Sequence, residues 1–366
     1  MADFASIVVR HDRLAALGAA ILAKAGSAPR EAKIVADHLV EANLKGHDSH
    51  GIGMMPIYIE NALKGLLRLN RKARVLRDAG AVLVVDGELG CGQVVAMQAT
   101  ELGIARAKRH GIAAVALRNA HHIGRVGTYG ERCLADGLVS MHFVNVARRA
   151  PLVAPFGGRE ARFGTNPVCL TMPGAKGEDP IVLDMATSIV AVGKIRVAKN
   201  RGKRVPEGYL VDAKGRMTTD PNAMYADPPG ALMPFGTYKG YGLALIAELF
   251  AGALTGGGTL APKNKITGSI VNNMLMVILD PKRLGDAKAI AAERRAALAW
   301  VKSAKRAMGS SGVLVAGDPE RLSRAKRLKS GIPVERATWT ELMAAGRAVG
   351  LGEAAMRKIA GVGPSV

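Results

Sequence analysis

Two short polar clusters hold the side chains suited to moving protons: His47-Asp48-Ser49-His50-Gly51 and Asn119-Ala120-His121-His122-Ile123-Gly124-Arg125. An imidazole changes charge near neutral pH, and a neighbouring hydroxyl or carboxylate can orient it. In the first cluster Ser49 or Asp48 could orient His50. The structural alternative is that Asp48 or Ser49 caps a helix beginning near Gly51, and both roles can hold at once. The second cluster follows a strand expected to end at Leu117, where sites collect in α/β proteins. One of its histidines can be an acid/base, and Arg125 could grip a carboxylate through two nitrogens. The alternative is a satisfied structural histidine pair. Neither cluster has the spacing of a metal site, so no metal is expected.

Two further segments are weaker when taken alone. Phe163-Gly164-Thr165-Asn166-Pro167 and Asp184-Met185-Ala186-Thr187-Ser188 offer hydroxyls, an amide and a carboxylate. With a helix expected to begin near Met185, they could hold phosphate or ribose, or Asp184 could simply cap that helix. Tyr238-Lys239-Gly240 opens an apolar helix, where Lys239 could meet an anion or only water.

The elements that must position these residues follow from periodicity. Helices are expected at His11 to Ala25 and Pro29 to Leu44 (capped by Ser27), then through Tyr58 and Leu66. Strands are expected at Ala81–Val85, Ile112–Leu117, Leu138–Val144, Pro167–Met172 and Ile181–Leu183, with helices at Gln93–Arg109 and Gly127–Ala135. Asn200 to Pro229 reads as loop and turn, Lys239 to Leu254 as a buried helix, and Met274 to Leu279 as a strand. The tail from Asp286 to Gly361 reads as helical with one strand at Val313–Val315. The expected architecture is α/β with a mixed sheet. Residues 1–80 form an N-terminal helical segment, 81–310 the core, and 311–366 a C-terminal helical segment packed on it. No linker separates independent domains.

Composition narrows the function classes. The chain has 366 residues and 49% hydrophobic composition, enough for a large core. Its longest apolar run, Tyr241–Leu254, contains Glu248 and is too short to span a bilayer, and the first residues do not read as a signal peptide. Three widely spaced cysteines suit a reducing cytoplasm. A net charge of +21 could serve nucleic acid or draw anionic substrates. With 4% aromatics there are few stacking platforms, and the densest basic stretch, Arg294 to Lys329, reads as solvated helix faces. A basic nucleic-acid-binding protein is the distant alternative, and a specific nucleic-acid partner is not expected. A Rossmann fingerprint is absent: the nearest match, Gly350-Leu351-Gly352, follows a helix rather than a strand.

Read in order, GHDSHG (46–51), NAHHIG (119–124), FGTNP (163–167), DMATS (184–188), PEGYLVDAKGRMTTDP (206–221), YKGYGL (238–243), LTGG (254–257) and GIPV (331–334) resemble the malate/L-lactate dehydrogenase type 2 family over nearly the whole chain. The resemblance implies a non-Rossmann dinucleotide-binding fold, NAD or NADP as cofactor, and a homodimer with sites near the subunit interface. It implies that His50 or His122 is the proton donor or acceptor. It also implies cofactor contacts at His50, at Gly124, Arg125 and Val126, along Pro180, Ile181, Val182, Leu183 and Asp184, at Lys239, and more loosely at Asn273 and Gly317.

The activity so implied is hydride transfer between 2-ketoacids and 2-hydroxyacids, with Ser49, Asn166 or Asp184 orienting the histidine or the nicotinamide carboxamide. Reduction of cyclic imino acids, such as piperideine-2-carboxylate, is the alternative on the same chemistry. Many family members carry an Arg four residues after the SHG histidine; here that residue is Met54. Arg125, Arg148 or Arg149 is expected to hold the substrate carboxylate in its place, and Met54 leaves room for bulkier substrates.

Overall fold

The computed structural model of the protein describes residues 6–363. Strand β1 (Ile7–Val9) leads into helices α1 (His11–Lys24), α2 (Pro29–Leu44) and α3 (Met55–Leu63), the last entered through 3-10 turns at Asp48–His50 and Ile52–Met54. Apolar side chains recur at helical spacing, and Leu14, Leu17, Ile21, Val35 and Leu39 are all buried. Pro29 opens α2, where its missing N–H costs nothing. Ser27 is not the cap: Ala28 stands there, and the Ser27 hydroxyl donates to Glu31 Oε1 at 2.8 Å.

The middle of the chain supplies β2 (Arg74–Ala79), β3 (Val82–Asp86), α4 (Gly92–His110), β4 (Ile112–His121), α5 (Gly127–Ala135), β5 (Val139–Ala147), β6 (Val168–Met172) and β7 (Ile181–Met185). Then come α6 (Val192–Asn200), β8 (Leu210–Val211), β9 (Met217–Thr218), β10 (Ala231–Leu232), α7 (Tyr238–Ala247) and β11 (Val271–Leu279). The chain continues through α8 (Ala287–Lys302), α9 (Asp318–Ser330), β12 (Ile332–Val334), α10 (Arg336–Ala348) and α11 (Glu353–Ala360).

Seven strands form the central sheet in the order β2-β3-β4-β11-β5-β6-β7. Only β3 and β4 run parallel, joined by α4; every other neighbouring pair is antiparallel. The architecture is therefore mixed α/β, and its sheet lacks the all-parallel order of a doubly wound nucleotide-binding sheet. Leu83, Val115, Leu117 and Met276 pack beneath α4 and α5 as one core. A second core joins α1, α2 and α3 to α10 and α11 through Leu17, Tyr58, Leu342 and Met356. β1 pairs with β12, so the N-terminal and C-terminal segments share that core.

Several expectations are corrected. No helix begins near Met185: β7 runs through it, paired with β6 up to Val168, so Asp184 is a strand residue and not a cap. Val313–Val315 is irregular because no strand pairs with it, and the late strand is β12. β4 does not end at Leu117. It stays paired with β11 through His121, across a register shift. β2 was not expected because it is a polar edge strand, and α6 begins inside a stretch that sequence left without structure. The helix from Tyr238 becomes a π-helix at Glu248–Leu254 and is buried on one face only; Ile246, Leu249 and Leu254 are exposed.

The approach of α4 to β4 is close. A Cβ on Gly92 would stand 2.1 Å from the His121 carbonyl oxygen and 2.3 Å from that of His122. Gly92→Ala is expected to cost about 3 kcal/mol, the upper range for overpacking. Urea unfolding measures this, and an unchanged midpoint would show that α4 can withdraw.

Candidate active site

The two histidine clusters meet where α3 faces the end of β4. The rings of His50 and His122 stack with centroids 5.6 Å apart and planes 20° apart. The turn carrying His50 is tied to α2 by Asn43, whose amide donates to Asp48 Oδ1 at 2.6 Å and accepts from the Ile52 N–H at 2.8 Å. Gly51 is required there, since a Cβ would fall 2.3 Å from the Asn43 side chain. Neither Asp48 nor Ser49 caps a helix. Asp48 instead takes a two-pronged contact from Arg327, and Ser49 Oγ lies 3.0 Å from His50 Nδ1.

Behind the pair lies a buried polar chain that sequence reasoning missed. Tyr58 Oη is 2.7 Å from His122 Nδ1 and accepts from Gln93 Nε2 at 2.8 Å. Asn61, on the same side of α3, lies 2.9 Å from His121 Nε2. The available signal was polar residues on the apolar faces of α3 and α4. With Gln93 donating to it, the Tyr58 hydroxyl can give its proton to neutral His122, or accept from Nδ1–H when His122 is charged. It therefore orients the ring in both states.

Burial, reinforced by the charges on His50, His121, His38 and Arg149, holds the His122 pKa well below the ordinary imidazole value. Burial also lowers that of His50, opposed by the carboxylate of Asp184. His38, buried on α2, accepts the Arg125 backbone N–H at 2.9 Å. Its pKa is pushed to about 3 by burial and then by Arg125. Gly124 is required beside it: φ is +72°, and a Cβ would stand 2.4 Å from His38 Nε2.

The three candidate arginines have different surroundings. Arg125 is buried, with Nη1 3.0 Å from Glu131 and Nε 3.4 Å from Asp184, while Asp184 also accepts the Gly127 N–H at 2.8 Å. Arg148 has a positive φ of 60° and points to Asn119 Oδ1 at 3.3 Å. Arg149 is half-buried, close enough to His122 to depress its pKa, and among the described residues has no carboxylate or hydrogen-bond partner. Burial lowers its own pKa. Met54 is half-buried against the N-terminal core.

Other expected site residues gather around a cavity of about 240 Å³ walled by Arg125, Pro180, Val182, Gly317, Lys45 and Arg321, among others. Gly317 stands at the N-terminus of α9, and the adjacent Ala316 carbonyl accepts the Val182 N–H at 3.2 Å. Ile181 and Leu183 continue β7 at half-buried positions, and Val126 is buried before α5. Asn166 is buried; its Nδ2 donates to the Ala244 carbonyl and to Glu248, and its Oδ1 has no partner. Asn273 spends its amide on Asn145, Gly258 and the Asn119 N–H, inside the protein. Lys239 is exposed at the start of α7, 6.0 Å from the Tyr238 ring. Among the described residues no cluster of three or more His, Cys, Asp or Glu could hold a metal ion, and no helix is long and apolar enough to cross a membrane.

Comparison with known proteins identifies the family of the chain. The family model of malate/L-lactate dehydrogenase matches residues 9–343. Hydroxycarboxylate dehydrogenase B of Escherichia coli (strain K12) is 45% identical over 336 residues, 91% of this chain and 92% of that one. The solved sulfolactate dehydrogenase of Methanocaldococcus jannaschii superposes with a TM-score of 0.82 at 32% identity, covering 94% of this chain and 98% of that one. The solved delta1-piperideine-2-carboxylate reductase of Pseudomonas syringae pvar. tomato gives 0.81 at 30% identity, covering 93% and 100%.

The buried histidines make stability depend on pH. Burial is the first cause in each case, lowering His38 and His142 to about 3 and His121 to about 4 from the ordinary 6.5. The unfolded chain therefore takes up protons first as pH falls. The stabilisation is fully present above pH 6.5 and is lost as pH falls toward the folded values. Each histidine contributes on the order of 1.4 kcal/mol per pH unit in that window. Urea midpoints should drop from pH 7 to pH 5; a constant midpoint would mean these rings are protonated in place.

Proposed function

Because the chain belongs to the malate/L-lactate dehydrogenase family, we propose that it interconverts 2-ketoacids and 2-hydroxyacids, with NAD or NADP as hydride carrier. The observation that carries the reading is the stacked His50–His122 pair; Arg149, whose charge lowers the His122 pKa and which has no carboxylate partner among the described residues, is the cation assigned to the substrate. The residues lining the neighbouring cavity suit one part of a dinucleotide: the Arg125 guanidinium, ion-paired with Glu131 and Asp184, keeps N–H groups without an aligned hydrogen bond that phosphate oxygens would satisfy. Arg125, Pro180, Val182 and Gly317 would hold it. When bound, it supplies the hydride to C2 of the ketoacid or takes it back from the hydroxyacid.

The remaining work falls to the chain's own side chains. Arg149 binds the substrate carboxylate and fixes C2 beside the imidazole, an orientation that supplies much of the rate. His122 holds the proton that moves to or from the C2 oxygen through Nε2, while Tyr58 and Gln93 keep the ring in place. In hydroxyacid oxidation the low pKa leaves His122 neutral and ready to act as base. The stacked His50 closes the site, with Ser49 setting its tautomer. Met54 takes the position where the family resemblance implies an arginine, and an apolar side chain there favours bulkier aryl or longer 2-ketoacids as substrates. The likeness to the Pseudomonas syringae reductase supports a second reading, reduction of cyclic imino acids by the same residues.

A homodimer belongs to the same proposal. Ile246, Leu249 and Leu254 leave the outer face of the α7 helix and its π-helical continuation apolar and open, a face suited to a second copy. Light scattering should return twice the chain mass of 38.2 kDa; a monomer at micromolar concentration would reject this part.

The activity is tested by following NADH and NADPH absorbance with a panel of aliphatic and aryl 2-ketoacids and piperideine-2-carboxylate. His122→Ala should lower kcat by about 10²- to 10⁴-fold, the usual loss of an acid/base group. Arg149→Ala should raise KM by about 10- to 100-fold, the loss of a charge-assisted bond. A His122→Ala enzyme with near-normal kcat, or an unchanged KM for Arg149→Ala, would overturn the respective assignment.

A further inference from the structure

A second cleft, of about 220 Å³, opens between β1, α10 and α11 and shares no wall with the histidine pair or the cavity beside it. Ile7, Trp339 and Met343 give it an apolar floor, and Arg336, Thr340, Arg347, Glu353 and Arg357 form its rim. Arg336, Thr340, Met343 and Arg347 recur at helical spacing and so share one face of α10.

The unmet chemistry here is that of donors. Glu353, the only carboxylate lining the cleft among the described residues, is taken by Arg347 at 2.8 Å and Arg357 at 3.0 Å. Arg336 is exposed and makes no ion pair among the described residues. One turn on, Trp339 is 3% exposed, and its indole N–H is buried without an acceptor. A buried donor left unmatched is costly and uncommon. A water-exposed guanidinium without an ion pair beside a buried, unmatched indole N–H over an apolar floor defines what a ligand would bring: an anionic head and an apolar body.

We propose that this cleft binds a small organic anion, a carboxylate or phosphate monoester, with its head on Arg336 and its apolar body on Ile7, Trp339 and Met343. The opposite face of α10 touches the turn that follows the one carrying His50: Thr338 Cγ2 lies 3.2 Å from where a Cβ on Gly53 would stand. An occupant would therefore lie one helix away from His50 without touching it.

The experiment is calorimetric titration of the full chain with benzoate and with phenyl phosphate, alone and in the presence of saturating NADH and oxamate. One saturable site per chain is expected, unaffected by NADH and oxamate, for at least one of the two probes; the better probe tells carboxylate from phosphate. Arg336→Ala should weaken its binding at least ten-fold, and Thr340→Trp, which fills the cleft from an exposed position, should abolish it. Absence of saturable heat with both probes, displacement by NADH or oxamate, or wild-type affinity in either variant would overturn the proposal. The readout is binding alone, so a failure of the dehydrogenase reading would leave this result interpretable.

Discussion

Two polar side chains on α3 reach across to the last residue of β4 and the one after it, and the rest of the site depends on that crossing. Tyr58 and Asn61, three residues apart on one helix, meet His122 and His121 at hydrogen-bond distance. They join the helical layer built from both ends of the chain to the central sheet. With His38, which accepts the Arg125 N–H, they bring the SHG turn and the HHIG segment together across two distinct clusters, one around Leu17 and Tyr58 and one around Leu117 and Tyr129. A buried polar contact is an expensive way to join two layers, because each partner pays a desolvation cost if the other moves. The same cost makes the juxtaposition specific: a slip of α3 would strand a hydroxyl, an amide and two imidazoles in apolar surroundings.

Charge is handled differently at Arg125 and at Arg149. On the β7 side, Arg125 is enclosed with Glu131 and Asp184, so its charge is compensated within the fold although its hydrogen bonds remain unaligned. Arg149, by contrast, is half-buried, with no counter-charge among the described residues. A partly desolvated cation without a partner is an unfavourable feature for a folded chain, and it becomes favourable once an anion arrives.

Much of this was legible in the sequence, and the illegible parts share a cause. The helices from His11 and Pro29 and the strands flanking the sheet centre follow from apolar periodicity, which the fold obeys. The pairing of His50 with His122 follows from two histidine-rich segments that only tertiary structure can join. The residues missed (Asn43, Tyr58, Asn61 and Gln93) are polar groups on apolar faces, where periodicity counts them as exceptions or ignores them. The extension of β4 to His121 was hidden because Arg118 and Asn119 look like loop residues; pairing with β11, far along the chain, keeps them in the strand. The polar edge strand β2 escaped for the converse reason: its hydrogen bonds to β3, not its side chains, make it a strand. The choice among three arginines depended on which carboxylates lay nearby, and local sequence carries no record of that.

The ribbon made by Ile7–Val9 against Ile332–Val334 carries a consequence for anyone redesigning the molecule. Each strand of that ribbon has a single neighbour, so losing Ile7–Val9 would leave the backbone of Ile332–Val334 without its hydrogen-bonding partner at the entrance to α10.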